Sequence, residues 1–303
     1  MHLKDSQKGI LYASFTALLW GLLAIVIKLA LTDLHPVDVT WFRFFLAFVL
    51  LFIYFLIFDH KKITILIHPP PLLIFTALFL GANYYGFITG IHLTTPSIAQ
   101  VFIQTGPVLL AASGFILYKE KISVRQGLGL LLVLSGMFIF YREQIIVLAD
   151  DVKKYQIGVL WILFGAVSWA GFSITQKKLV IKHHPLQLNL MIYGLPALLF
   201  SPFVKYSGFL HVSWIEWLVL IFLGINTLLA YGSLAYALKY LEANKISVII
   251  ILNPILTFII MAFLGYMEVT WIIRDRFTPA TILGASVVIT GAILTVLKNR
   301  RKR

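Results

Sequence analysis

Residues 18–36 read LLWGLLAIVIKLALTDLHP, and residues 167–185 read VSWAGFSITQKKLVIKHHP. Aligned without a gap, the two stretches place Trp20 on Trp169, Lys28 on Lys177 and one His-Pro pair on the other, and five of nineteen positions are identical. The copies lie 149 residues apart in a chain of 303 residues. This spacing indicates that half of the protein is a duplicate of the other half.

The composition indicates that lipid, not water, surrounds most of this chain. Sixty per cent of the residues are hydrophobic, 12% are charged, and the mean hydropathy is +0.93. A soluble domain has about 25% charged residues, so these few polar groups cannot cover a globular surface. The net charge of +13 is explained by basic cytoplasmic loops. We therefore expect membrane lipid as a partner and no nucleic acid.

Ten segments approach or exceed the roughly 20 apolar residues that a spanning helix needs. They are residues 9–31, 37–58, 72–92, 96–118, 124–141, 156–177, 186–205, 214–238, 243–265 and 279–297. The first is too long for the core of a signal peptide. The apolar runs are continuous, whereas a barrel requires alternation. The sequence therefore predicts an all-α integral membrane protein with ten transmembrane helices.

Lysine and arginine are unevenly distributed over the connecting segments. With the N-terminus inside, seventeen lie on the inner side and six on the outer side. Positively charged loops stay in the cytoplasm, so we expect a multi-pass protein of the cell (inner) membrane with both termini cytoplasmic.

The duplication predicts two repeats of opposite orientation. Residues 1–148 and 149–303 each hold five spans, an odd number, so the second copy enters the membrane upside down. Tyr84 precedes Pro107 by 23 residues, as Tyr231 precedes Pro254, and the matches keep their order along both halves. Inverted repeats are typical of secondary transporters, in which two copies exchange conformations around one site.

Four further features of the sequence occur together: LLWG (18–21), WFRFFLAF (41–48), Gly106-Pro107 followed by Lys119-Glu120, and glycine-rich fifth and tenth helices. With these features the chain resembles the drug/metabolite transporter superfamily, in particular proteins built from two EamA domains. The resemblance implies a central cavity lined by helices 1–4 and 6–9, with helices 5 and 10 outside. Members of this family export amino acids or other metabolites, import others, or carry nucleotide sugars. Arg43 has no counterpart in the second copy, where Ile192 stands.

Polar and aromatic residues within the spans are the candidates for binding a solute. The substrate-binding candidates are Trp20, Asn83, Tyr84, Gln100, Gln104, Trp169, Tyr231 and Asn253, and the helix-breaking candidates are Pro107 and Pro254. Polar groups in lipid are costly and usually face a cavity. The alternatives are hydrogen bonding between helices, aromatic packing, and plain proline kinks whose free carbonyls are satisfied locally.

Two cations and the acidic residues complete the inventory. Lys28 and Arg43 are interpreted either as attracting an anionic or zwitterionic solute or, more simply, as snorkelling to the interface or pairing with Asp33 or Asp38. None of the twelve Asp and Glu residues lies in the middle of a span. Ion-coupled carriers usually bury a carboxylate, so a strong coupling site of that kind is not expected.

These features favour a secondary transporter that moves a small solute, amino-acid-like or otherwise polar or amphipathic, by alternating access, with export as the first expectation. The alternative is a non-transporting membrane scaffold or a lipid-modifying membrane enzyme. Motifs such as HExxH, GxSxG and the phosphate-binding loop are absent from the sequence, and there is no cysteine. We therefore expect no catalytic residues, no metal and no cofactor. A homodimer is left open, because the glycines of helices 5 and 10 can also pack within one chain.

Overall fold

The computed structural model describes residues 5–118, 124–147, 152–271 and 278–296, and over these ranges the chain is helical without strands. The α-helices are α1 (Asp5–Ala30), α2 (Pro36–Phe58), α3 (Pro71–Leu93), α4 (Pro96–Phe102), α5 (Thr105–Tyr118), α6 (Val124–Val147), α7 (Val152–Leu179), α8 (Pro185–Phe200), α9 (Trp214–Tyr240), α10 (Ala243–Ile250), α11 (Asn253–Tyr266) and α12 (Pro279–Val296). Short 3₁₀ turns follow α2 and α8. Each predicted segment is helical, and the all-α class is confirmed.

The repeated His-Pro pair marks the start of a helix in both copies. His35 and His184 are N-cap residues with extended backbone, and Pro36 and Pro185 are the first residues of α2 and α8. Proline suits this position because its missing N–H would have no helical partner there and its φ is already helical. The shared dipeptide therefore fixes where the second helix of each half begins.

Two of the predicted segments are broken helices. The fourth divides into α4 and α5 around Ile103 and Gln104, and the ninth divides into α10 and α11 around Ile251 and Leu252. Pro107 denies the Ile103 carbonyl its usual helical donor, but that carbonyl accepts from the Gly106 N–H at 2.9 Å. Of the two interpretations left open at Pro107, this contact corresponds to the kink whose carbonyl is satisfied locally, here by a tightened turn.

The packing of the helices has the pattern of two copies related by a two-fold axis. α1 packs extensively against α9, and their copies α7 and α3 pack extensively against each other. α2 packs against its own copy α8, and α6 against its own copy α12, as elements next to such an axis must. The interior is thus built from contacts between the halves.

Glycines bring α6 and α12 together. A Cβ on Gly136 would stand 2.7 Å from the Gly284 carbonyl oxygen, and one on Gly291 would stand 2.7 Å from the Gly129 carbonyl oxygen. Real Cβ atoms do not approach backbone so closely, so small residues are required on both helices. These glycines therefore serve packing within the chain.

Apolar side chains cover both the inside and the outside of the bundle. Leu18, Ile57, Leu131 and Leu160 are among the exposed large hydrophobics, while other apolar residues of the same helices are buried. Seven helices within the described ranges are long and apolar enough to cross a membrane, and α12 is a shorter apolar helix. Helices that are hydrophobic all round belong in lipid, so the protein is a multi-pass membrane protein.

Candidate functional site

A cavity of about 530 Å³, its opening included, lies between the two halves. It is lined by Trp20, Leu23, Arg43, Asn83, Tyr84, Phe87, Gln100, Ile103, Gln104, Pro107, Trp169, Tyr231, Ile250 and Asn253. All eight substrate-binding candidates and Pro107 are in this set. Pro254 is not, but it directly follows Asn253 at the start of α11. None of these lining residues belongs to α6 or α12, which agrees with the resemblance. None belongs to α8 either, although the resemblance implies that this predicted seventh helix lines the cavity.

Aromatic rings from both halves meet at the wall of the cavity. Trp20 and Trp169 stand edge to face with ring centroids 5.9 Å apart. Tyr231 lies 5.2 Å from Trp20 and 5.5 Å from Tyr84, centroid to centroid. All four side chains are buried, so the tryptophans are not interfacial anchors. They pack between helices and present apolar ring surface to the cavity at the same time.

The side-chain amides of Gln100, on α4, and Gln104, between α4 and α5, connect this region to α1 and α11. Gln100 Nε2 donates to the Trp20 carbonyl at 3.0 Å, and Gln104 Nε2 donates to the Gln100 carbonyl and to Asn253 Oδ1, each at 3.0 Å. The side-chain oxygens Oε1 of both glutamines are buried without a partner among the described residues. Each glutamine thus joins helices with its nitrogen, while its Oε1 acceptor has no partner among the described residues.

Asn83 is occupied by contacts between helices. Its Nδ2 donates to the Gly165 carbonyl at 2.9 Å, and its Oδ1 accepts from the Tyr231 hydroxyl at 3.4 Å. This arrangement corresponds to the alternative in which a buried amide holds helices together. Asn83 therefore shapes the cavity wall while its amide is already bonded on both atoms.

Arg43 is the lining residue whose environment departs most from expectation. Its side chain is 1% exposed. Its Nε donates to Thr227 Oγ1 at 3.1 Å, and its guanidinium carbon lies 4.3 Å from the centre of the Tyr84 ring. Snorkelling is excluded because the side chain is buried, and none of the ion pairs found in the described part of the chain involves Arg43.

Asp38 and Lys28, the other charges near Arg43 in sequence, have partners elsewhere. The Asp38 carboxylate accepts from the backbone N–H groups of His35 and Lys205. Lys28 Nζ donates to the carbonyls of Ile91 and Thr94 at 3.0 and 2.8 Å, at the C-terminal end of α3. Arg43 therefore does not pair with Asp38 as one interpretation expected, because Thr227 accepts from its Nε and backbone N–H groups bond both oxygens of Asp38.

A chain of buried polar groups leads from the cavity wall into the second half. Thr227 Oγ1, which accepts from Arg43, also accepts from the Tyr84 hydroxyl at 3.2 Å. The Tyr193 hydroxyl donates to the Thr227 carbonyl at 3.4 Å and accepts from Asn189, whose Oδ1 accepts from Gln176 at 3.1 Å. Sequence reasoning did not single out this network. The signal was available, since Asn189 and Tyr193 lie one turn apart on α8.

Metal chemistry finds no support in the part of the chain that the structure describes. It contains no group of three His, Asp or Glu side chains that could hold an ion. His184, which stands beside His183 in sequence, instead packs edge to face against Tyr236. Lys119, Glu120 and the basic tail 298–303 lie outside the described residues.

The fold and the cavity define a class of protein: a multi-pass helical membrane protein with a cavity between two similar halves. The sequence model of the EamA-like transporter family matches residues 7–142 and 156–297. The chain belongs to this family, and it is a membrane transporter. The two matched ranges correspond to the two halves.

Relatives span almost the whole chain. An uncharacterized inner membrane transporter of Escherichia coli strain K12, YhbE, is 30% identical over 96% of this chain and 92% of its own length. An uncharacterized transporter of Haemophilus influenzae is 28% identical over 96% and 95%. A protein of known crystal structure shares the fold with a TM-score of 0.66 at 19% identity, over 97% of this chain and 98% of that one.

Proposed function

We propose that this protein is a secondary transporter that moves a small polar or amphipathic metabolite across the cell membrane by alternating access. The observation that carries the proposal is the cavity, which takes its walls from both halves and lies between helices paired in a two-fold pattern. Rocking of two similar halves around a central site opens such a cavity to either side in turn.

The proposed topology has ten spans in two inverted repeats, residues 1–148 and 149–303. α4 with α5, and α10 with α11, each count as one broken span, since unwound backbone at mid-depth is tolerated where it borders a cavity. α6 and α12 are then the fifth and tenth spans. An even number of spans puts both termini on one side, and the distribution of basic residues favours the cytoplasm.

The walls of the cavity support a solute with an apolar body and a few polar groups. Five aromatic side chains, two glutamines, two asparagines and one arginine border it. Amino-acid-like metabolites have this character, and export follows the resemblance to family members that export them. The inner membrane named for the Escherichia coli relative supports placement in the cell membrane.

A carboxylate for ion coupling is not found at the cavity. Asp38 is the only buried acid in the described ranges, and it lies near the beginning of α2 with both oxygens bonded to backbone. We therefore propose a facilitator or exchanger in which solute movement does not depend on protonation of a buried acid in the transport path.

The test is uptake of a radiolabelled panel of amino acids and related metabolites into liposomes that contain the purified protein. At least one solute is expected to exchange, and Gln104→Ala is expected to reduce its rate at least tenfold. Gln156→Ala is the matched control, because Gln156 is exposed on α7. Absence of exchange for every solute would contradict the proposal, and modification of a lipid by the protein would favour the alternative of a membrane enzyme.

A further inference from the structure

Arg43 carries a positive charge into the interior with donors to spare. Its Nη2 is buried and has no hydrogen-bond partner among the described residues, yet the residue borders the cavity. A guanidinium holds its proton in proteins and presents its donors in a planar fork. Burying a charge without a counter-ion costs free energy because the charge loses its hydration. Proteins therefore keep a buried charge where other interactions offset that cost.

The surroundings stabilise Arg43 only in part. Thr227 supplies one neutral hydrogen bond, and the Tyr84 ring supplies a cation–π contact at 4.3 Å. The titratable groups that face the guanidinium are the phenols of Tyr84 and Tyr231. A phenol is uncharged at neutral pH because its ordinary pKa is about 10. Within the described chain, therefore, Arg43 lines the cavity without an anionic partner, and its Nη2 has no hydrogen bond.

The ligand chemistry that fits this arrangement is a carboxylate. Carboxylates accept from a guanidinium through two parallel hydrogen bonds, which is the strongest pairing the fork allows. Gln100 and Gln104 line the same cavity, and their Oε1 atoms, which have no partner among the described residues, are acceptors of the kind that an ammonium group needs. The aromatic residues of the wall supply apolar surface for the rest of the solute.

We propose that Arg43 binds the carboxylate of the transported solute and makes a carboxylate the group that the site requires. This inference rests on the proposed transport function and narrows its solute class to acids and zwitterions. The carboxylate of a bound solute pairs with the guanidinium, which has no anionic partner within the described chain when the cavity is empty.

The experiment measures binding of four related probes to the full-length protein in detergent and in a low-salt buffer that contains neither chloride nor sulfate. The probes are phenylalanine, 3-phenylpropionate, phenylalaninamide and 3-phenylpropanamide, which carry a carboxylate with an ammonium, a carboxylate alone, an ammonium alone, and neither. Titration calorimetry gives the Kd of each. The two carboxylates are expected to bind at least about tenfold more tightly than their matched amides, because an amide cannot form the charge-assisted hydrogen bonds that a carboxylate forms with a guanidinium.

Arg43→Gln is expected to remove that preference and to leave the affinity for the two amides within about twofold. Arg142→Gln is the matched control, since Arg142 is exposed on α6. A general distortion of the cavity would weaken all four probes equally, and that outcome would overturn the proposal. A wild-type protein without preference for carboxylates, or one whose preference disappears when chloride is added at millimolar concentration, would overturn it as well.

Phenylalanine compared with 3-phenylpropionate decides between zwitterion and plain acid. Tighter binding of phenylalanine identifies the glutamine oxygens as the ammonium site, and equal binding assigns the selectivity to Arg43 alone; either result supports the proposal. Transport in liposomes without a carboxylate preference would refute this inference and keep the proposed function. Carboxylate binding without any transport would refute the proposed function and keep Arg43 as an anion site.

Discussion

Lys28 and Lys177 perform the same task in the two halves of the protein. Lys28 Nζ donates to the Ile91 and Thr94 carbonyls at the end of α3, and Lys177 Nζ donates to the Leu238 and Leu241 carbonyls at the end of α9. Each acceptor in the second half lies 147 residues after its counterpart in the first. The lysines in the repeated phrase are thus retained because each closes the C-terminus of a neighbouring helix, where carbonyls lack helical donors.

Replacing either lysine by methionine is expected to destabilise the protein. Lys28→Met and Lys177→Met each keep the length of the side chain but remove a cation from a helix C-terminus, which costs about 1–2 kcal/mol. Thermal unfolding in detergent measures the effect, with the exposed Lys178→Met as control. The equivalence would be contradicted if only one of the two variants lost stability, or if the control lost as much stability as they do.

The contact between α6 and α12 is expected to reject even a methyl group. In Gly291→Ala the new Cβ would stand 2.7 Å from the Gly129 carbonyl oxygen, and relief of such a clash typically costs about 1–3 kcal/mol. Gly127→Ala on α6 is the control, because its Cβ meets no heavy atom within 4 Å, and alanine favours a helix by up to about 1 kcal/mol. Melting temperatures that move in opposite directions support this packing; a shared direction contradicts it.

The stability of the protein is expected to fall as the pH drops below about 6.5, in part through His184. Burial, and then the cations of Lys62 and Lys239, lower the pKa of this histidine from 6.5, while Asp59 acts in the opposite sense. The unfolded chain therefore takes up a proton at a higher pH than the folded chain does, so acid favours unfolding.

His184→Gln is expected to flatten this pH dependence, whereas His183→Gln is expected to leave more of it in place. Unfolding temperatures measured between pH 5 and 8, in about half-unit steps, decide the matter. If the His184 variant has the same acid slope as the unsubstituted protein, the protonation of another group is responsible.

The hydrogen bond between Gln104 and Asn253 is expected to couple the two broken helices. Its length is 3.0 Å, and it joins the break of the fourth predicted segment to the first residue of α11. Gln104→Leu and Asn253→Leu each strand a buried partner at a cost of about 1–3 kcal/mol. The double variant should cost less than the sum by about 0.5–1.5 kcal/mol; strictly additive unfolding free energies would show that the contact contributes nothing.

Much of the candidate site could be predicted because polar residues within membrane spans are rare and usually face a cavity or a partner on another helix. Gln100, Gln104 and Asn253 stand out in apolar surroundings, and all three line the cavity. Trp20 and Trp169 stand out because they recur, and their rings meet. Whether these residues bind solute stays a prediction until the uptake measurement is made.

The roles of the cations could not be predicted because partners distant in sequence decide them. Lys28 bonds to carbonyls 63 to 66 residues away, and Arg43 bonds to Thr227 in the other half. Along the sequence, Asp33 and Asp38 are the nearest anions. In the structure, however, the Asp38 carboxylate accepts from the backbone N–H groups of His35 and Lys205. Proximity along the chain was the wrong guide.

The sequence by itself determined the solvent, the helical segments and the duplication, since each depends on composition and local pattern. Long apolar runs must be helical in lipid, where every backbone group needs a partner, and proline marks where several of these helices begin. Only the tertiary structure decided which helices face each other and which charges are paired. Those outcomes depend on contacts between residues of the two halves, and they leave Arg43 buried beside the cavity without a carboxylate partner in the described chain.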